Sequence, residues 1–218
     1  ETPEPPWVKK FVVGLYCGVA HHVVAFVGHG GIVRLFDFDA RMCALARLFF
    51  PDENVVRQFD IRAESVGALV ADVESAVPDP DRQWLHINAG LPCNDGSKAN
   101  PRRDPPKLLE HVATFFFVVR RLQGRFAKVA WFTENVVCEP FVATMKALFL
   151  DSVHEVIDSG RFTAEQRKRA YFASPEFDLT KLTELDGGCT VEKWFKLYAK
   201  SGPCKMRCTR TSQLGRRS

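Results

Sequence analysis

Residues 84–137 read "WLHINAGLPCNDGSKANPRRDPPKLLEHVATFFFVVRRLQGRFAKVAWFTENVV". The short apolar run WLHINA (84–89) predicts a buried strand that runs out into a polar loop. A helix is expected through 106–123, and KVAWFTENV (128–136) predicts another strand. Strand, long crossover and strand are the mark of parallel pairing, because parallel neighbours need a connection of a dozen residues or more.

The same alternation extends in both directions. Upstream, strands are expected at 11–16, 31–38 and 54–61, with helices through 20–30, 40–50 and 65–77. Downstream, a helix over 139–150 precedes two short strands at 153–160 and 169–174. Alternation over roughly 170 residues implies an α/β, doubly wound, mostly parallel sheet. Ligands of such sheets bind beyond the carboxyl ends of the strands, at the point where strand order reverses. The residues that carry chemistry are therefore expected on the loops that follow the strands.

The bulk numbers suit an ordinary globular chain. It has 218 residues, 46% hydrophobic and 26% charged, enough length for a sizeable core. A net charge of +4 and a pI near 8.7 point mildly toward an anionic partner. No apolar run reaches the length of a membrane span, and no secretory signal pattern opens the chain. Residues 1–10 read as an extended lead-in. Cysteines fall at 17, 43, 93, 138, 189, 204 and 208 without a C-x-x-C pair. That scatter argues against a disulfide framework or a zinc finger, and for a reducing compartment. Cys189, Cys204 and Cys208 have poor spacing for a metal and no nearby histidine, so no metal is expected.

The strand ends carry a consistent set of groups. Gly18 turns the chain after the first strand, Asp37 and Asp39 follow the second, and Asp60 follows the third. A glycine turn with an acid about 20 residues on suits a nucleoside, although each Asp could equally be a helix cap or a solvated strand end. The turn lacks the G-x-G-x-x-G fingerprint, which disfavours a dinucleotide. After the fourth strand comes the Cys93 loop, after the fifth Glu134, and beyond the sixth Arg167 and Arg169. A thiol, a carboxyl and guanidiniums on one sheet edge suit covalent attack on an electron-poor ring.

Pro92-Cys93-Asn94-Asp95, then Glu134-Asn135-Val136, then Arg167-Lys168-Arg169 resemble, in order and spacing, the motifs of the cytosine carbon-5 DNA methyltransferases. "PCND", "FTENVV" and "RKRAYF" look most like the de novo (Dnmt3-like) subgroup. The similarity covers roughly residues 11–210. It implies a Rossmann-like fold dependent on S-adenosylmethionine, with a catalytic core at 11–175 and a basic C-terminal extension at 176–218. It also implies that Cys93 adds to carbon 6 of a flipped-out cytosine, that Glu134 bonds ring nitrogen 3 and the exocyclic amine, and that Arg169 meets the cytosine oxygen. Arg167 and Asn135 would brace the site, Asn135 by holding the Pro92-Cys93 loop. On the cofactor side the resemblance implies Gly18, Ala20 and Pro92, Asp37 at the ribose, Asp60 at the adenine amine and Ile61 against the ring.

Three departures stand out. His21 and His22 replace a small residue and a glycine in the turn, where imidazoles could crowd the methionine part of the cofactor. Gly96 replaces an apolar residue, and Glu165 a glutamine. The family also continues with a recognition region and a final motif, which a protein partner or further chain is expected to supply. The basic residues Lys98, Arg102, Arg103, Lys205, Arg207 and Arg210 are candidates for nucleic-acid backbone contact, DNA more than RNA. From Lys193 to Ser218 there are eight Lys or Arg and no acid, with Trp194, Phe195 and Tyr198 interleaved as possible stacking groups. Two alternatives to a DNA enzyme stay open: a catalytically silent binding or assembly module, and a cytosine methyltransferase acting on RNA. The compartment expected for a eukaryotic DNA enzyme is the nucleus.

Overall fold

The computed structural model describes residues 10–18, 31–93, 96, 101–102, 104–158, 168–177 and 179. The expected helix at 20–30 lies outside them, as do Ala20, His21, His22, Lys98, Arg103, Arg167, Lys205, Arg207, Arg210 and the three C-terminal cysteines. The chain divides into two compact units, and every described residue except Asp158 belongs to the one formed by 1–157 and 168–184.

Among the described residues seven strands form one sheet: β1 (Lys10–Leu15), β2 (Gly31–Asp37), β3 (Val56–Gln58), β4 (Trp84–Ala89), β5 (Lys128–Val136), β6 (Val153–Asp158) and β7 (Lys168–Ala173), in the order β3-β2-β1-β4-β5-β7-β6. β1 pairs in parallel with both β2 and β4, and β2–β3 and β4–β5 are parallel too. β7 is antiparallel to β5 and lies between it and β6. Strand order reverses between β1 and β4, so the crevice expected of a doubly wound sheet opens above Leu15 and Ala89.

Among the described residues four helices flank the sheet: α1 (Ala40–Phe49), α2 (Val66–Ala76), α3 (Pro105–Gln123) and α4 (Glu139–Leu148). In α3 the buried positions Leu108, Val112, Phe115, Val119 and Leu122 recur every three or four residues, which makes one apolar stripe. Pro105 and Pro106 begin this helix, where the missing N–H costs nothing. The stripe joins Val13, Leu15, Phe36, Leu85, Ile87 and Trp131 with buried residues of α2 and α4 in the main core. On the other sheet face Val12, Leu35 and Val56 pack under Cys43, Ala46 and Phe50 of α1 and the residue after it. Helices on both faces make the sheet doubly wound.

Two expected elements differ in extent or form. The third strand covers Val56–Gln58 rather than 54–61, because β3 is an edge strand with β2 as its neighbour. Phe59 N–H makes the last bond to β2, to Asp37 O at 2.7 Å, and the chain leaves the ladder after it. The helix expected at 65–77 starts as a 3-10 turn over Ala63–Ser65. No described helix is long and apolar enough to cross a membrane.

Candidate active site

The cysteine loop leaves β4 at Ala89 and is fastened to its neighbours at successive points. Gly90 N–H bonds Leu15 O at 3.0 Å, which joins it to the end of β1. The Asn135 amide, in a buried side chain of β5, donates to Leu91 O at 3.3 Å, and Asn135 Oδ1 accepts from Val136 N at 2.7 Å. Thr133 Oγ1 donates to Ala89 O at 2.9 Å. β5 therefore grips the loop two residues before Cys93.

Beyond the cysteine, Gly96 N–H returns to Cys93 O at 3.2 Å. A Cβ on Gly96 would lie 2.7 Å from Leu108 Cδ2, 3.0 Å from Cys138 Sγ and 3.1 Å from Val136 Cγ2. Gly96 thus packs without displacing its neighbours, whereas any side chain here would have to push aside the ends of Leu108, Cys138 and Val136.

Four cysteines are described, all free. Cys17 and Cys43 are buried, whereas Cys93 and Cys138 are half-buried. Burial first, and then the Asp37 carboxylate, push the Cys17 thiol up to about 12, and the same two causes raise Cys43. These two thiols stay protonated at neutral pH, and a protonated thiol is a poor nucleophile. Reachable sulfur is thus confined, among the described cysteines, to Cys93 and Cys138.

Glu134 and Arg169 meet across the β5–β7 ladder. Arg169 is paired with Val136, and Glu134 with Tyr171, so the two charged residues are diagonal neighbours on one sheet face. Arg169 Nε lies 2.6 Å from Glu134 Oε1, with Arg169 16% and Glu134 37% exposed. Asn135 points to the opposite face and holds Leu91. One short piece of β5 thus presents a carboxylate and fastens the cysteine loop.

A cleft of about 930 Å³ opens at the strand ends. Its walls include Tyr16, Phe38, Phe59, Asp60, Ile61 and Pro92, with Lys107, His111 and Phe117 of α3 opposite. Asp60, Ile61 and Pro92, singled out in the sequence, therefore share one cavity. Asp60 is exposed and paired with Arg62. Asp37 is 6% exposed, and its two carboxylate oxygens accept Gly18 N–H at 2.8 Å and Asp39 N–H at 2.9 Å. It braces the β1 turn, where Gly18 has φ +53°. Asp39 caps α1 by accepting Arg41 N–H at 2.8 Å. Hydrogen bonds from the Arg41 side chain and backbone hold its carboxyl down at about 2.

Tyr16, Phe38 and His111 were not marked by sequence reasoning. Phe38 stands 61% exposed between two acids at the end of β2. An aromatic side chain between charged neighbours at a strand end is the signal that could have found it. Arg102 is exposed after the loop. Among the described residues no group of three or more His, Cys, Asp or Glu could hold a metal.

Three solved structures similar to this chain are methyltransferases or methylases. The S. pombe Dnmt2 methyltransferase shares 13% identity at a TM-score of 0.49, covering 89% of this chain and 56% of that one. The Entamoeba histolytica methyltransferase EhMeth shares 13% at 0.48, covering 76% and 52%. An rRNA methylase from Streptococcus thermophilus shares 12% at 0.43, covering 76% and 86%. The chain spans about half the length of the first two. No protein-family model matches the sequence, and no curated protein matches it. The fold, read from its own strand order, is the Rossmann-like mixed sheet of the class I S-adenosylmethionine-dependent methyltransferases.

Proposed function

We propose that this chain is the core of a nucleic-acid methyltransferase that acts on carbon 5 of cytosine. The observation that carries the reading is the joint placement of Cys93, Glu134 and Arg169. A half-buried thiol sits on a loop fastened to Asn135, and the residue next to Asn135 is ion-paired with Arg169. Within this reading the Cys93 thiolate adds to ring carbon 6 of an extruded cytosine. Glu134 bonds ring nitrogen 3 and the exocyclic amine, and Arg169 meets the exocyclic carbonyl oxygen, which offsets the negative charge that the incoming sulfur brings.

The cleft suits a nucleoside. Asp60 offers an acceptor for an exocyclic amine, Phe38 and Ile61 offer apolar walls, and the volume lies in the range of small-molecule sites. S-adenosylmethionine bound there would supply the methyl group. Asp60, Ile61 and Pro92 would hold its nucleoside half, and Gly18 with Asp37 would shape the turn beside it.

DNA is the substrate favoured by the motif resemblance, and RNA is the second reading. Cys93, Glu134 and Arg169 would address atoms of the base, which are the same in both, so the 2′-hydroxyl has to be read elsewhere. The basic extension at 176–218 and Arg102 would supply backbone affinity, in a reducing intracellular compartment. The experiment is transfer of radiolabelled methyl from S-adenosylmethionine to cytosine-containing DNA and RNA, with Cys93→Ser as control. Transfer lost in the variant is the expected result. Tight nucleic-acid binding without transfer, in the presence of bound cofactor, would replace the enzyme by the silent binding module.

A further inference from the structure

We infer that Tyr16 is a positioning residue of the cleft, a strap that fixes Asp60 and Ile61 for recognition of a nucleobase. The inference rests on the proposed nucleoside reading of that cleft, and no motif assigns the residue.

Tyr16 follows β1 with φ +51°, a left-handed backbone that a bulky aromatic side chain adopts rarely. Such outliers persist where the surroundings over-determine them, and they cluster at functional sites. Here the surroundings are three walls of one cavity. The Tyr16 hydroxyl donates to Ile61 O at 3.3 Å. Its ring meets His111 of α3 edge-to-face, with centroids 5.5 Å apart and an interplanar angle of 78°. One side chain therefore links the end of β1, the segment after β3 and the first half of α3.

The segment it holds is short and held from a second side. Ser65 Oγ lies 2.8 Å from Asp60 O and 2.9 Å from Arg62 O, two acceptors that share its one proton, so the segment is held at Asp60 and Arg62 as well as at the Ile61 carbonyl. Arg62 pairs with the Asp60 carboxylate. With the segment held at these points, the direction in which Asp60 leaves the backbone is fixed as well. Burial, and then the Asp60 charge, raise the Tyr16 phenol above its ordinary range, so it remains a hydrogen-bond donor at physiological pH. A phenylalanine at this position would keep the ring against His111 and release the carbonyl. The hydroxyl alone separates a packing role from a positioning role.

The test uses the full chain and the inert product analogue S-adenosylhomocysteine, with affinities read by calorimetry for the wild type, Tyr16→Phe, Asp60→Ala and the double variant. Tyr16→Phe should weaken binding about 3- to 10-fold, the usual worth of one neutral hydrogen bond. In the Asp60→Ala background the same change should cost clearly less, because one of the two groups that Tyr16 positions is already gone. Unchanged affinity in Tyr16→Phe, or an undiminished loss in the double variant, would overturn the inference and leave the cleft reading intact. No binding by the wild type at millimolar analogue would remove the cleft reading, and the role of Tyr16 with it.

Discussion

Arg169 Nε and Glu134 Oε1 stand 2.6 Å apart, from adjacent antiparallel strands at the end of the sheet that carries the cysteine loop. The contact is partly shielded from water, with Arg169 16% exposed. A pair in this setting orients both groups, and a planar guanidinium holds a carboxylate at a defined angle better than an ammonium can. An incoming cytosine would meet a carboxylate and a donor fork already set at a fixed spacing.

Glu134→Gln should therefore slow methyl transfer by about 10²- to 10⁴-fold, the range for a positioned acid-base group. Arg169→Lys should recover only part of the activity lost in Arg169→Ala. Single-turnover rates on DNA and RNA check this, and cofactor affinity measured alongside should not change. Glu134→Gln and Arg169→Ala should be strongly non-additive, since each breaks the same ion pair.

Gly96→Ala should destabilise the fold by about 1–3 kcal/mol, the usual cost of overpacking. The added methyl would meet Leu108 Cδ2 at 2.7 Å and Cys138 Sγ at 3.0 Å, both ends of side chains that would have to shift. Thermal unfolding measures the loss. Cys138→Ala should recover part of it, because removing the sulfur frees one of the three contacts.

The described cysteines should divide by reactivity. Iodoacetamide at pH 8 should label Cys93 and Cys138 in the native protein and leave Cys17 and Cys43 untouched, as peptide mapping would show. Stability should also fall at alkaline pH. The Cys17 thiol is raised from 9.0 to about 12 in the folded state, so above pH 9 the unfolded chain loses a proton that the folded chain keeps. Unfolding gains from that release, and the loss accumulates between pH 9 and about 12. Cys17→Ala should flatten this limb in denaturant titrations.

Asp37→Asn should cost stability, because a buried carboxylate that accepts two backbone N–H groups is replaced by an amide with one acceptor oxygen. Hydrogen bonds to charged groups contribute about 1.5–3 kcal/mol each. Chemical denaturation of the unliganded protein checks the prediction.

Much of the fold was legible in local sequence. β4 and β5 occupy the expected 84–89 and 128–136, since strands flanked on both sides show unbroken apolar runs. The edge strand β3 was over-read, because Phe59 and Ile61 stay apolar beyond the end of the strand. Insertion of β7 between β5 and β6 was not legible, as strand order is a long-range property that no local pattern records. At the site, the residue types at the strand ends could be read from the chain. The grip of Asn135 on Leu91 and the contact of Tyr16 with Ile61 are pairings 44 and 45 residues apart, which one sequence does not carry. Asp37 shows the limit most clearly: its place at a strand end is visible, while its engagement by Gly18 and Asp39 depends on how the turn closes.

The most direct test of the account is covalent trapping. Oligonucleotides of DNA and of RNA carrying 5-fluorocytosine would be incubated with the full chain and S-adenosylmethionine, then resolved under denaturing conditions. Fluorine at carbon 5 cannot leave as a proton does, so an adduct at carbon 6 persists after the methyl has been transferred. The expected result is a protein–nucleic acid adduct that maps to Cys93 and is absent in Cys93→Ser. No adduct with either nucleic acid, under conditions where cofactor binding is measured in the same sample, would contradict it.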